Sequence, residues 1–196
     1  MMPVQSIVPT AIFALLISIG VTGCAGMSDI SPQSKPWVQL PEFLGPMEQV
    51  SGVDARCVPP KGWSADPLKT SDRHTHQVWL SPTRDTAYGV IYFSLPLPVG
   101  PNIVHWEFLR QMKRTTGEAN EISKAEDPNL PGLRFVCEGG HYLMRVNLIV
   151  RGLHGWAIYA GTIRQHQINE MELGQAEAAR EYTLPGQTES TAINNP

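Results

Sequence analysis

Residues 133–150, LRFVCEGGHYLMRVNLIV, constrain the fold more than any other stretch of the chain. Two runs of β-branched, aromatic and other apolar residues flank Gly139-Gly140, a pair suited to a two-residue hairpin loop. Such a loop fixes register, and register fixes faces, because side chains alternate along a strand. With Gly139-Gly140 as the loop, Glu138 stands opposite His141, Cys137 opposite Tyr142, Phe135 opposite Met144 and Leu133 opposite Val146. The last three pairs share one wholly apolar face. The other face is mixed: Val136 opposite Leu143, Arg134 opposite Arg145, then Asn147.

More strands surround this hairpin. Residues 73–80 and 87–95 are candidates, and so are 119–126 and 156–163. In 87–95, Tyr88, Val90 and Tyr92 mark one face, while Ile91, Phe93 and Leu95 mark the other. A strand apolar on both faces is covered on both sides. Two amphipathic stretches supply the cover. Residues 103–116 read as a helix with Asn102 as N-cap, Lys113 and Arg114 in the last turn and Gly117 just past the end. Its Ile103, Val104, Trp106, Phe108, Leu109 and Met112 make a wide apolar band suited to covering a sheet. Residues 170–183 read as a second helix, with Asn169 and Glu172 at capping-box spacing and Pro185 as its stop. Seventeen Gly and seventeen Pro suit a chain of short strands and many turns.

The N-terminus sets the compartment. Residues 11–19, AIFALLISI, are apolar but too few to span a bilayer, which takes about 20 residues. A short apolar run followed by small residues is the pattern of a secretory signal. Val21-Thr22-Gly23-Cys24 resembles a bacterial lipobox, which implies cleavage before Cys24 and acylation of its sulfur. No Lys or Arg precedes the run, a departure from the usual charged start. Residues 1–23 are then a signal peptide, and 24–54 a tether and irregular segment with apolar anchors Trp37, Val38, Leu40, Phe43 and Leu44. Residues 55–184 form one α+β domain, and 185–196 a disordered polar tail. Ala25, where Asp would signal inner-membrane retention in lipoproteins, favours the outer membrane, with the domain facing the periplasm. The partners this implies are the membrane, through the acyl chains, and an envelope protein.

The order of strands, helix, meander and helix, entered through Pro60, Gly62 and Trp63 behind a lipoprotein signal, resembles the PsbP-like and DcrB-like proteins. That resemblance covers roughly residues 55–184. It implies a twisted antiparallel sheet flanked by helices, and a binding or assembly module of a membrane or envelope complex. It carries no shared catalytic motif.

The candidate sites divide the function classes. Net charge is −3 with no basic block, which argues against nucleic acid. Two arginines facing each other, Arg134 and Arg145, repel unless an anion or carboxylate sits between them. One reading is a small-anion or polar-ligand site of Arg134, Arg145 and Asn147, with Glu138 and His141 at its rim. The other is a set of ion pairs to Glu172, Glu177 or Glu181 of the second helix. Cys57 and Cys137 are open to two readings in an exported chain: a disulfide, or two buried apolar thiols. His74 and His76 alternate onto one strand face and could supply two metal ligands, but zinc needs three or four. No phosphate loop, nucleophile elbow, dinucleotide fingerprint or His-Glu-x-x-His occurs. Cys137 on the apolar face is a poor nucleophile. The expectation is a non-catalytic binding or assembly lipoprotein without a cofactor. An anion-binding protein is the first alternative, and an unrecognised hydrolase or metal-dependent enzyme the second.

Overall fold

A computed structural model describes residues 40–126, 132–163 and 168–186. The fold is α+β. Its centre is an eight-stranded sheet in which every pairing is antiparallel. The expected hairpin is present as β8 (Gly132–Gly139) and β9 (Tyr142–Arg151). The sheet continues through β10 (His154–Ile163), β6 (Thr86–Ser94) and β5 (His74–Leu80). Two short edge strands, β3 (Ser64–Ala65) and β4 (Lys69–Thr70), both pair with β5. At the opposite edge β7 (Asn120–Glu126) pairs with β8. Helix α1 (Pro101–Thr116) lies between β6 and β7 in the chain. It carries the chain to the far edge, and β7 to β10 then meander back until β10 closes against β6.

The hairpin register differs from expectation by one step of two residues. Gly139 pairs with Tyr142, Glu138 with Leu143, and Cys137 with Met144, so the loop is Gly140-His141. A slip of two preserves the faces, which is why the apolar face survives the correction. The cause lies in Tyr142. Its ring covers Gly139 so closely that a Cβ there would stand 2.3 Å from the ring. Its hydroxyl donates to the Glu118 carbonyl at 2.8 Å. Gly139 is therefore a strand residue under an aromatic lid, not a turn residue. The arginines shift accordingly: Arg134 faces Asn147 and Arg145 faces Val136, and the two are not directly opposed.

Both sheet faces are covered, as the double-faced pattern of β6 requires. On one side α1 sets Val104, Phe108 and Met112 on Phe135, Val146 and Leu148. Phe135 meets Phe108 edge-on at 5.5 Å between centroids. The α1 N-cap is Gly100, not Asn102, because Pro101 starts the helix at the position where its missing N–H is harmless. Gly117 ends it at φ 85, its N–H donating to the Lys113 carbonyl.

On the other side lie α2 (Glu170–Tyr182) and a small three-stranded sheet. That sheet comprises β1 (Glu48–Val50), β2 (Ala55–Cys57) and β11 (Leu184–Pro185). Val53, Ala55, Val58, Ala176 and Ala179 here pack on Tyr88, Val90 and Ile158. The stretch expected to be irregular thus carries β1 and a 3₁₀ turn at Ser51–Val53. Likewise Leu184–Pro185, expected to be split between domain and tail, pair with Arg56 and Ala55. The Asn169 cap of α2 is as expected, its side chain accepting from the Glu172 N–H. Trp63 of the entry motif donates its indole N–H to Gln175, tying the entry to α2. Cys24, the signal and tether up to residue 39, and residues 187–196 lie outside the described residues.

Candidate functional site

Helix α2 meets β8 and β9 through a cluster of charged side chains. Glu177, Arg180 and Glu181 fall at i, i+3 and i+4, and so project from one edge of the helix. Alanines 176 and 179 are fully buried and let the helix settle over β6 and β10. The charged edge then reaches the polar face of β9 and β8. Arg145 donates to the Glu177 carboxylate. Arg134 meets Glu181 at 3.1 Å. Arg180 donates to Glu181 at 2.8 Å and to the Asn147 side-chain carbonyl at 3.0 Å.

Three arginines therefore share two glutamates and one asparagine. The outer groups are partly solvated: the Arg134 and Arg145 side chains are 42% and 39% exposed, which keeps their pairs weak. Arg180 is only 12% exposed, and its Nε has no hydrogen-bond partner. Burial pulls the Arg180 pKa down. Glu181 opposes that shift, while Arg134 and Arg145 reinforce it. The cluster holds a buried cation, Arg180, between the Glu181 carboxylate and two like-charged neighbours, Arg134 and Arg145.

Of the five residues predicted to form a site, the fold gathers Arg134, Arg145 and Asn147 under α2. It leaves Glu138 and His141 elsewhere. Glu138 sits at the hairpin end of β8, four residues and roughly 13 Å along the strand from Arg134. His141 stands in the exposed turn. Arg180 is the residue the sequence reading missed. Its signal was available: it lies one helical turn from Glu177 and next to Glu181. Glu172 takes no part in the cluster, since it accepts a 2.7 Å hydrogen bond from Thr83 in the β5–β6 loop.

The other candidates separate. The disulfide reading is corrected: Cys57 and Cys137 are both free and buried, and they belong to apolar clusters on opposite sides of the sheet. Burial pushes both thiols up to about 12, which suits inert core residues. His74 and His76 go to different partners. His74 Nδ1 lies 2.6 Å from the Ser71 hydroxyl, and His76 Nε2 lies 2.7 Å from the Tyr159 hydroxyl. Among the described residues no three His, Cys, Asp or Glu side chains are grouped to hold a metal ion. Nor, among those residues, is any helix long and apolar enough to cross a membrane.

The His76–Tyr159 pair is the second polar feature, buried on the α1 side of the sheet. Tyr159 lies over Gly89, where a Cβ would come within 2.5 Å of its ring and hydroxyl. That glycine lets the phenol cross β6 to reach β5. Burial lowers His76 to about 3, with Lys69 and His74 adding to the shift, so the imidazole is neutral at any physiological pH.

No protein-family model and no curated protein matches this sequence. The solved structures do include a match. The fold is similar to that of cyanobacterial PsbP (CyanoP) from Synechocystis sp. PCC 6803, with a TM-score of 0.54 and 10% sequence identity. The similarity covers 78% of this chain and 98% of that one. The fold is thus PsbP-like, an antiparallel sheet with a helix on each face.

Proposed function

We propose that this protein is a membrane-tethered, non-catalytic binding or assembly subunit of the cell envelope. Acyl chains on Cys24 hold it to the membrane, with the domain on the periplasmic side of the outer membrane. The observation that carries this reading is the use of both sheet faces for internal packing, α1 on one and α2 with the small sheet on the other. Function then falls to the outer surface, as suits a module that docks. The PsbP-like fold and the lipobox-like Val21–Cys24 support the same reading.

Crosslinking in intact cells, followed by mass spectrometry of the recovered complexes, tests it. A partner recovered with the native protein and lost with Cys24→Ala supports tethered assembly. Recovery of nothing above background from either form overturns it.

One observation favours a second reading, a small-anion site at the α2 edge. The Arg180 Nε, buried beside Arg134 and Arg145, lacks an acceptor. Inorganic phosphate or sulfate would raise the melting temperature by binding the folded state, and Arg145→Ala would remove the increase. A melting temperature indifferent to both anions removes this reading.

A further inference from the structure

Along the outward side of α1 run Ile103, Trp106, Arg110 and Lys113, spaced by three or four residues and so on one stripe. Trp106 is 61% exposed and Ile103 39%. The indole is nonetheless held in place. Arg110 lies over its ring, 5.3 Å from the centroid. Arg110 is itself fixed by Glu107, whose carboxylate accepts from its Nε at 2.6 Å and its Nη2 at 2.7 Å. Glu107 is only 4% exposed and also accepts from Gln111 at 2.6 Å. Tryptophan and arginine are enriched among the residues that anchor protein interfaces, and an anchor ordered beforehand loses less freedom on binding.

The charges around this stripe balance overall but divide between its ends. At the C-terminal end of α1 stand Lys113, Arg114 and Glu118, all exposed: two cations and one acid. Beside the helix start stand Glu121, Lys124 and Glu126 of β7: two acids and one cation. Contacts fix that placement. Lys124 Nζ lies 3.5 Å from the Asn102 side chain. Glu121 lies 2.8 Å from His105 Nε2. Burial lowers His105 below its ordinary 6.5, so the imidazole is neutral near neutral pH and leaves Glu121 its charge. Lys124 and Glu126 stand opposite Phe135 and Leu133 of β8, two residues apart, and so share a face. Arg110 is neutralised by Glu107. The outer face of α1 and β7 is therefore neutral as a whole, positive by one charge at one end and negative by one at the other.

A neutral face has no net attraction for an anionic or a cationic surface. A polarised one fits a partner with the same pattern reversed, and a second copy turned through a two-fold axis has that pattern. We propose that two copies of this chain pair through this face, with their α1 helices antiparallel and the two Trp106 indoles near the axis. Lys113 and Arg114 of each copy then face the Glu121 and Glu126 end of the other. One surface supplies both halves, as in any two-fold interface. The pairing goes beyond the envelope reading and does not need it. It leaves α2 and the small sheet free, together with Leu40, which packs on that opposite side.

Full-length protein, purified from membranes in mild detergent, is examined by sedimentation velocity over a range of concentrations. Two chains per particle are expected at high concentration, with weaker pairing as salt is raised. Trp106→Ala, a change at an exposed site checked by circular dichroism, is expected to give single chains. The decisive arms exchange charge. Lys113→Glu makes both ends negative and Glu126→Lys makes both positive, so each alone should weaken pairing roughly tenfold. Carried together they reverse the polarity of the face and should restore pairing. Single chains at every concentration of the native protein overturn the inference. So do dimers that Trp106→Ala leaves intact, or a double exchange that fails to restore pairing. A different protein crosslinked at this face, in chains that stay single, also overturns it and assigns the face to that protein. None of these outcomes depends on acylation of Cys24, so the envelope reading can fail while the pairing stands.

Discussion

The two helices cover the same sheet by different means. Helix α1 uses large side chains: Val104, Phe108 and Met112 are all buried against the aromatic and branched residues of β8 and β9. Helix α2 uses small ones, with Ala176 and Ala179 allowing close approach and a row of Arg–Glu pairs sealing the edge. The first contact rests on apolar area and is deep. The second rests on proximity and on charges that water can reach. The α1 side should therefore carry more of the stability, and the α2 side should be more open to adjustment by ligand, salt or partner.

The largest expected effect is at Phe108, fully buried in the α1 layer. Phe108→Ala should cost about 3–5 kcal/mol in denaturant unfolding. A cost near 1 kcal/mol would break the contrast between the helices.

Acid sensitivity sharpens it next. His76 is buried neutral on the α1 side, its folded pKa near 3 against an ordinary value of 6.5. Below pH 6.5 the unfolded chain takes up a proton that the folded chain refuses until about pH 3. Stability is thus full above pH 6.5 and falls as the pH drops through that window, by on the order of 2–3 kcal/mol at pH 4.5. His76→Gln should flatten this part of the profile. His105, also lowered mainly by burial, leaves a smaller slope of the same sign. An unchanged profile in His76→Gln would show that the imidazole is not held neutral.

On the α2 side, Ala176→Leu should cost about 1–3 kcal/mol by overpacking, measured by thermal unfolding. The smallest effect belongs to the charged edge. A double-mutant cycle on Arg145 and Glu177 should return a coupling below about 1 kcal/mol, because both groups are partly solvated. A coupling of several kcal/mol would mean the α2 edge is as structural as the α1 core.

Strong periodicity made much of this legible in the sequence. The double-faced pattern of β6 announced a sheet covered on both faces, the alternation in β8 and β9 marked an apolar and a mixed face, and the Asn169 cap and Gly117 stop marked helix ends. What escaped notice had physical reasons. The choice among Gly139, Gly140 and His141 for the loop was decided by the Tyr142 ring, which covers Gly139 from the facing strand and is tied to Glu118, a partner 24 residues away that no local pattern shows. Strands β3, β4 and β11 are two residues each and hold their place through partners distant in sequence. The arginine face was recognised as needing carboxylates, and Glu177 and Glu181 were among those named. Arg180 was not, since a lysine or arginine near a helix end reads first as a dipole partner. The disulfide reading failed because spacing along the chain cannot tell which side of a sheet a thiol occupies.

The account depends most on Cys24, because tether, compartment and bilayer contact all follow from it. The direct measurement is the intact mass of the protein purified from cell membranes, with its N-terminal peptide sequenced by mass spectrometry. A chain that begins at Cys24 and carries the added mass of a diacylglycerol unit and acyl chains is the result predicted. A chain that retains residues 1–23, or begins at an unmodified residue, would contradict it.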